Sequence, residues 1–292
     1  MKKATTILFL ILTLGFDAGG VFAGDFQELA VRAAALKDLA SAQEVASPEP
    51  DRLASVEWVT IPGGSFLMGT NEDTNNFLDA QPVHRVNIRS FAMSKTLVTV
   101  EQYAECVLKG ACSEPGSGAD CNWGVPGRQR HPINCVDWAQ AAKFAKFKGA
   151  RLPSESEWEY AARSGGKNQK YPWGNAQPNC ETTVMYGRNA PGCGANSTMA
   201  VCSKPKGNTA QGLCDMAGNV FQWVQDQYGM FAYATAPVDG GAFQHAFQTD
   251  ATARVVRGGA YGHKLPDEFR ADKRFNMSPA NRIDAVGFRL AR

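Results

Sequence analysis

The chain has 292 residues, with 30 lysines and arginines against 28 aspartates and glutamates, a formal charge of +2. A balance that close to neutral excludes a polyanion-binding protein built on a basic surface, so no nucleic acid partner is expected.

Taken in chain order, Met1, Lys2 and Lys3 precede an apolar stretch over residues 4–16, which is too short to cross a bilayer as a helix. It reads as a signal peptide over residues 1–23, with Val21 and Ala23 as the small residues before the cut and Asp17 as an awkward charge after the apolar core. No cysteine stands at the cut to carry a lipid, and no second apolar run of membrane-spanning length follows. The expected product is periplasmic or secreted. Residues 25–46 have apolar side chains at helical spacing, and Ser47, Pro48 and Pro50 end the run. Residues 24–56 are therefore expected to be a helix and linker, serving as a spacer or clamp; the stripe is mostly alanine, which is weak for binding a partner.

Residues 57–292 contain no further Pro/Ser-rich break and are within the size of one domain. The pattern predicts a strand over 83–88 and helices over 99–109, 136–148 and 154–162. The last opens on Ser154 followed three residues later by Glu157, the spacing of a capping box. Gly, Pro and Asn are frequent between these elements, so regular structure should be sparse in an α+β, loop-rich domain without tandem repeats. Glu155, Glu157 and Glu159 read as cap and surface charges, and the tryptophans as core residues, with one or two available to line a cleft.

Eight cysteines, Cys106, Cys112, Cys121, Cys135, Cys180, Cys193, Cys202 and Cys214, all lie in this domain. An even number in an exported chain favours disulfides over zinc, and no CxxC occurs. Pairing of neighbours is the simplest connectivity, but the sequence leaves it open.

Several segments in order resemble the formylglycine-generating-enzyme, or sulfatase-modifying factor, family. They are IPGGSFLMG at 61–69, QPVH at 81–84, VTVEQY at 98–103, HPINCVDW at 131–138 and RLPSESEWEYAAR at 151–163. YPWGN at 171–175, GLCDMAGNVFQW at 212–223, RGGAY at 257–261 and GFR at 287–289 complete the series. The resemblance implies a divergent C-type lectin fold. It also implies an oxidase that holds copper(I) between two cysteines just after the Gly-Gly turn, soft ligands suited to that ion. Here Gly258 and Gly259 are followed by no cysteine, and counting from the turn puts His263 and Glu268 at the two ligand positions. Copper-dependent formylglycine formation is thus not expected.

What remains near the turn is His263 with Asp267, Glu268 and Arg274, a set able to move protons or hold a metal if it converges in one cleft. The competing reading is a polar, solvated loop. His84, His131 and His245 lie in segments without a ligand spacing. The resemblance further implies a structural calcium loop, with side chains from Asp215 and Gln222 and carbonyls from Gly218 and Val220; its competitor is a tight turn held by Asp215 and Asn219. Two functions stay open. One is a binding or accessory module for an unidentified protein or small-molecule ligand. The other is a periplasmic enzyme, an oxidoreductase or a tailoring step in secondary-metabolite maturation, as some exported members of the family perform.

Overall fold

Three short helices form where the sequence supplies caps. Thr99 begins α1 (Val100–Leu108), Asp137 begins α2 (Trp138–Phe147) and Ser154 begins α3 (Glu155–Ala162). Each cap side chain accepts the backbone N–H three residues on, and the Gln102, Gln140 or Glu157 side chain there accepts the cap's own N–H in return. Two otherwise orphaned donors are satisfied at each start, which is how helices of three turns or fewer hold their ends. The computed structural model describes residues 55–72, 75–245 and 252–292, all within one compact unit, Pro50–Arg292. The expected signal peptide, the helix over 25–46 and nearly all of the linker lie outside the described residues.

Strands β1 (Trp58–Ile61) and β4 (Phe91–Ser94) pair antiparallel, as do β2 (Gly64–Met68) and β3 (His84–Ile88). The remaining strands, β5 (Phe221–Gln227), β6 (Arg254–Arg257), β7 (Arg274–Met277) and β8 (Val286–Phe288), form one sheet in the order β7-β6-β5-β8. Its pairs are antiparallel except β5 with β8. Alternation along these strands feeds two cores. Phe221, Trp223, Val256, Val286 and Phe288 pack toward Tyr103 and Phe144 of α1 and α2. Val224 and Val255 pack toward Trp158 and Tyr160 of α3 and toward Phe66 and Val86 of the β2–β3 hairpin.

The helix α3 is buried along its whole length, which corrects the expectation that its glutamates lie on the surface. Glu157 does cap the helix and also accepts two hydrogen bonds from Arg151. Glu155 and Glu159, four residues apart and so on one helical face, meet arginines that the sheet supplies. Arg274 grips Glu155 at 2.7 and 2.9 Å, and Arg257 reaches Glu159 at 2.5 Å and Glu155 at 3.6 Å. Burial pushes the Glu155 carboxyl up, but Arg274 and Arg257 outweigh it and hold its pKa below the ordinary value. Arg163 links Glu159 to Asp272, and Asp272 holds Arg270, so alternating charges run from the centre of the molecule toward its surface. Buried charges are tolerated in such numbers only because each is paired and hydrogen-bonded.

The stretch between α3 and β5 contains two 3-10 turns and no longer element. Two disulfides, Cys180–Cys193 and Cys202–Cys214, tie this stretch, and two more, Cys106–Cys112 and Cys121–Cys135, lie in α1 and the loop from it to α2, each joining neighbours in sequence. Trp158 and Trp223 are fully buried as core residues, whereas Trp123 lines a small apolar cleft beside Val100 and Ala104 of α1.

Candidate functional site

The solvent face of the β2–β3 hairpin and the loop after α3 enclose a cleft of about 910 Å³. The hairpin contributes Ser65, Leu67 and Arg85, which the strand alternation turns outward while Phe66 and Val86 enter the core. Across from them stand Lys167, Lys170 and Tyr171, the last stacked parallel on Trp173 at 5.3 Å. At the base lies Arg270. Its Nε and Nη2 donate to the two oxygens of Asp272 at 2.9 and 2.7 Å, its plane covers Phe77, and its Nη1 donates to Glu72 at 2.6 Å. Burial works against the Arg270 charge, yet the hydrogen bonds to Asp272 and Glu72 raise its pKa further. The Arg270 bond likewise holds the Glu72 carboxyl below its ordinary value, and Lys170 adds to this from 3.2 Å.

The residues singled out after the Gly-Gly turn do not converge. Gly258 and Gly259 take φ of +96° and +76°, and a Cβ on Gly259 would stand 2.8 Å from the Glu268 carbonyl, so the turn needs glycine for both conformation and space. Beyond it His263 packs edge-on to Phe221 and tilted to Phe275, on the α1–α2 face of the sheet. Arg274, the neighbour of Phe275 in β7, points through the opposite face to Glu155. Glu268 accepts from the backbone N–H groups of Lys264 and Leu265, capping the 3-10 turn Pro266–Phe269. Asp267 lies at the cleft, 4.0 Å from Arg270. His263 therefore has Glu268 in its electrostatic reach, and its pKa is lowered by burial and partly restored by Glu268. Its Nδ1 is buried without a hydrogen-bond partner.

Of the groups expected around calcium, the side chains of Asp215 and Gln222 are engaged with protein donors. Gln222 is fully buried, and its Oε1 accepts from Trp158 Nε1 at 2.8 Å and from Arg289 Nε at 2.6 Å. Its Nε2 donates to the Asp215 carbonyl, which also accepts from Arg289. Asp215 Oδ2 accepts the Cys202 N–H. Gly218 donates to Gly258, while a Cβ there would stand 2.0 Å from Thr183 Oγ1, and Val220 is buried in a small cluster with Leu97 and Val201. Gln222, neutral and committed to Trp158 and to the Arg289 guanidinium, is therefore a poor ligand for a calcium ion. The other histidines serve the fold: His84 against Tyr233, His131 on Thr198 and His245 on the Tyr228 carbonyl. Among the described residues no group of three or more His, Cys, Asp or Glu is placed to hold a metal.

Apart from Asp267, the cleft's residues were not singled out from the sequence, for a simple reason. Glu72 and Arg270 meet across 198 positions, and no local spacing announces such a pair. A mixed fold with two helices behind a four-stranded sheet, a buried ion-paired helix in front and all eight cysteines in disulfides defines a formylglycine-generating-enzyme type of domain that has no thiolate left for a metal. Residues 42–292 match the sulfatase-modifying factor enzyme 1-like domain, and the chain belongs to that family. It is 31% identical over 284 residues to the formylglycine-generating enzyme of Streptomyces coelicolor, covering 80% of this chain and 88% of that protein. It is 32% identical over 266 residues to the serine/threonine-protein kinase pkn1 of Chlamydia caviae, matching 86% of this chain but only 40% of the kinase. Among solved structures it is similar to PvdO from Pseudomonas aeruginosa, with 31% identity, a TM-score of 0.68, and coverage of 82% and 95% of the two chains.

Proposed function

We propose that this chain is an exported binding or accessory protein of the sulfatase-modifying factor family, which holds a polar ligand in the cleft over Arg270 and does not form formylglycine with copper. The observation that carries this reading is the state of the cysteines. All eight are consumed in four disulfides, and copper(I) at such a site needs soft thiolate ligands. The same bonds support export, since disulfides persist in oxidising compartments. The cleft supports ligand binding: about 910 Å³ lies in the range of small-molecule sites, and charged and amide side chains are placed to orient a polar guest. The test incubates the purified chain with copper(I), oxygen and a cysteine peptide of the sulfatase type, followed by mass spectrometry. No conversion and no retained copper is the expected result; conversion with copper retained would sink the reading.

A second reading, a periplasmic oxidoreductase or tailoring enzyme, is favoured by one observation. His263 has a buried, unpartnered Nδ1 with Glu268 nearby, and counting from the Gly-Gly turn puts it where the resemblance implies the first thiolate. Metal analysis of protein taken from the periplasm separates the two. A transition metal bound by the chain and lost in His263→Ala supports the enzyme, and metal-free protein supports the binding module.

A further inference from the structure

The cleft over Arg270 carries an electrostatic asymmetry that bears on what it binds. Five cationic side chains line it against three anionic ones. Its two exposed carboxylates are already engaged with Arg270, Glu72 at 2.6 Å and Asp267 at 4.0 Å. Asp272, the third, is buried behind the same guanidinium and between it and Arg163. On the cationic side, among the described residues, Arg85 donates to the neutral Ser65 hydroxyl and neither it nor Lys167 makes an ion pair. Positive charge is thus in excess on the open walls.

Arg270 itself is built to receive an anion. Asp272 holds it bidentately from behind and Phe77 lies against its plane, so the guanidinium is fixed before any ligand arrives. Preorganisation of this kind lowers the ordering cost of binding, and a guanidinium edge matches a carboxylate in geometry. The Nη1 edge that faces the cleft is covered by Glu72, a side chain 42% exposed and held otherwise by the exposed Lys170. Glu72 is therefore a carboxylate of the chain's own, tethered in the place a ligand's carboxylate would take.

We propose that the cleft binds its ligand through a carboxylate that displaces Glu72 from Arg270, with Lys170, Arg85 and Lys167 drawing it in. This deepens the ligand-binding reading above and rests on it. The displaced Glu72 is an intramolecular competitor, present at high effective concentration, and sets a ceiling on affinity that its removal lifts.

The experiment titrates the full chain and its variants at low salt with three probes: glutarate, the acidic peptide N-acetyl-triglutamate amide, and the basic peptide N-acetyl-triarginine amide. Glu72→Gln, at an exposed position, keeps the fold and is expected to bind both acidic probes about tenfold more tightly than the parent, the size of one lost competing charge contact. The double variant Arg85→Gln, Lys167→Gln is expected to bind them about fivefold or more weakly, and added salt should weaken binding to the parent. Equal affinity for the two acidic probes points to a free carboxylate as the natural source, and preference for the peptide points to an acidic peptide; both support the proposal. Unchanged or weaker acidic binding in Glu72→Gln overturns it, as does no binding of acidic probes by either protein. Tighter binding of the triarginine peptide, lost in Glu72→Gln, overturns the carboxylate inference while leaving ligand binding in the cleft intact. Copper-dependent peptide oxidation, by contrast, removes the parent reading.

Discussion

At the scale of single residues, His263 and Glu159 show how burial decides a side chain's role. His263 is enclosed by Phe221 and Phe275, and burial is the larger influence on its pKa, pushing it below the ordinary 6.5. A histidine whose folded pKa is depressed contributes stability in full above its unfolded value. That contribution is lost as pH falls through the folded pKa, because the unfolded chain takes the proton first. His263→Phe removes the titration, so the unfolding free energy it loses between pH 7.5 and pH 5, read from urea denaturation, should be smaller than the parent's. A wider gap between the two pH values in the variant would contradict this. Glu159 is the opposite case, a charge that cannot be spared. It accepts from Arg257, Arg163 and the Gly69 N–H, and none of these has water to turn to if the carboxylate is removed. Glu159→Ala is expected to lose about 3–5 kcal/mol in denaturant titration, the penalty of leaving a buried guanidinium unpaired. An exposed glutamate would lose almost nothing.

At the scale of elements, the start of α3 was readable because the capping box at Ser154 is a local pattern, four residues long, that needs no partner from elsewhere. The three boxes at Thr99, Asp137 and Ser154 differ in what else their side chains do. Thr99 only caps, whereas Asp137 also accepts two bonds from Arg282 through Oδ2. Thr99→Ala should therefore lose about 1 kcal/mol, and Asp137→Ala measurably more, by chemical denaturation of both variants under one condition. Equal losses would mean that the half-exposed Arg282 contributes nothing. The strands were harder to read. Those of the four-stranded sheet run for three to seven residues, and β5 is buried on both faces, so it lacks the alternation that marks a half-exposed strand. The same two-sided burial separates His263 from Arg274. They are near in sequence, yet the adjacent β7 positions Arg274 and Phe275 face different cores.

At the scale of the whole molecule, the four disulfides stand in for secondary structure that the loops lack. Cys121 and Cys135 are 14 residues apart and cross-link a stretch without helix or strand, which also holds Asn122 and Asn134 in a buried hydrogen-bonded pair. Closing a loop of that length is worth about 3 kcal/mol through the unfolded state. The double variant Cys121→Ala, Cys135→Ala should lose an amount of that order in unfolding free energy while keeping the far-ultraviolet circular dichroism of the parent. Loss of the dichroism at the same step would mean that the bond directs the fold instead of stabilising it. The cleft belongs to this scale as well, because its floor is the outer end of the ion-paired chain that begins at α3. Asp272 serves both Arg270 at the cleft and Arg163 toward the core, so the anion-receiving guanidinium is held by the same lattice that holds the fold together.

By itself the sequence determined the family, the α+β loop-rich domain, the places of the three helices and the number of cysteines available for pairing, because each rests on residue types in a fixed order or on contacts a few positions apart. It also shows that no cysteine follows Gly259, which needs no coordinates. Only the tertiary structure decided which charges are buried, that Arg289 is held by Gln222 and the Asp215 carbonyl, and that Glu72 closes over Arg270. Those outcomes depend on residues that meet over 67 to 198 positions. The energy of a charge is set by the burial and partners it finds there, and neither is written in its neighbours along the chain.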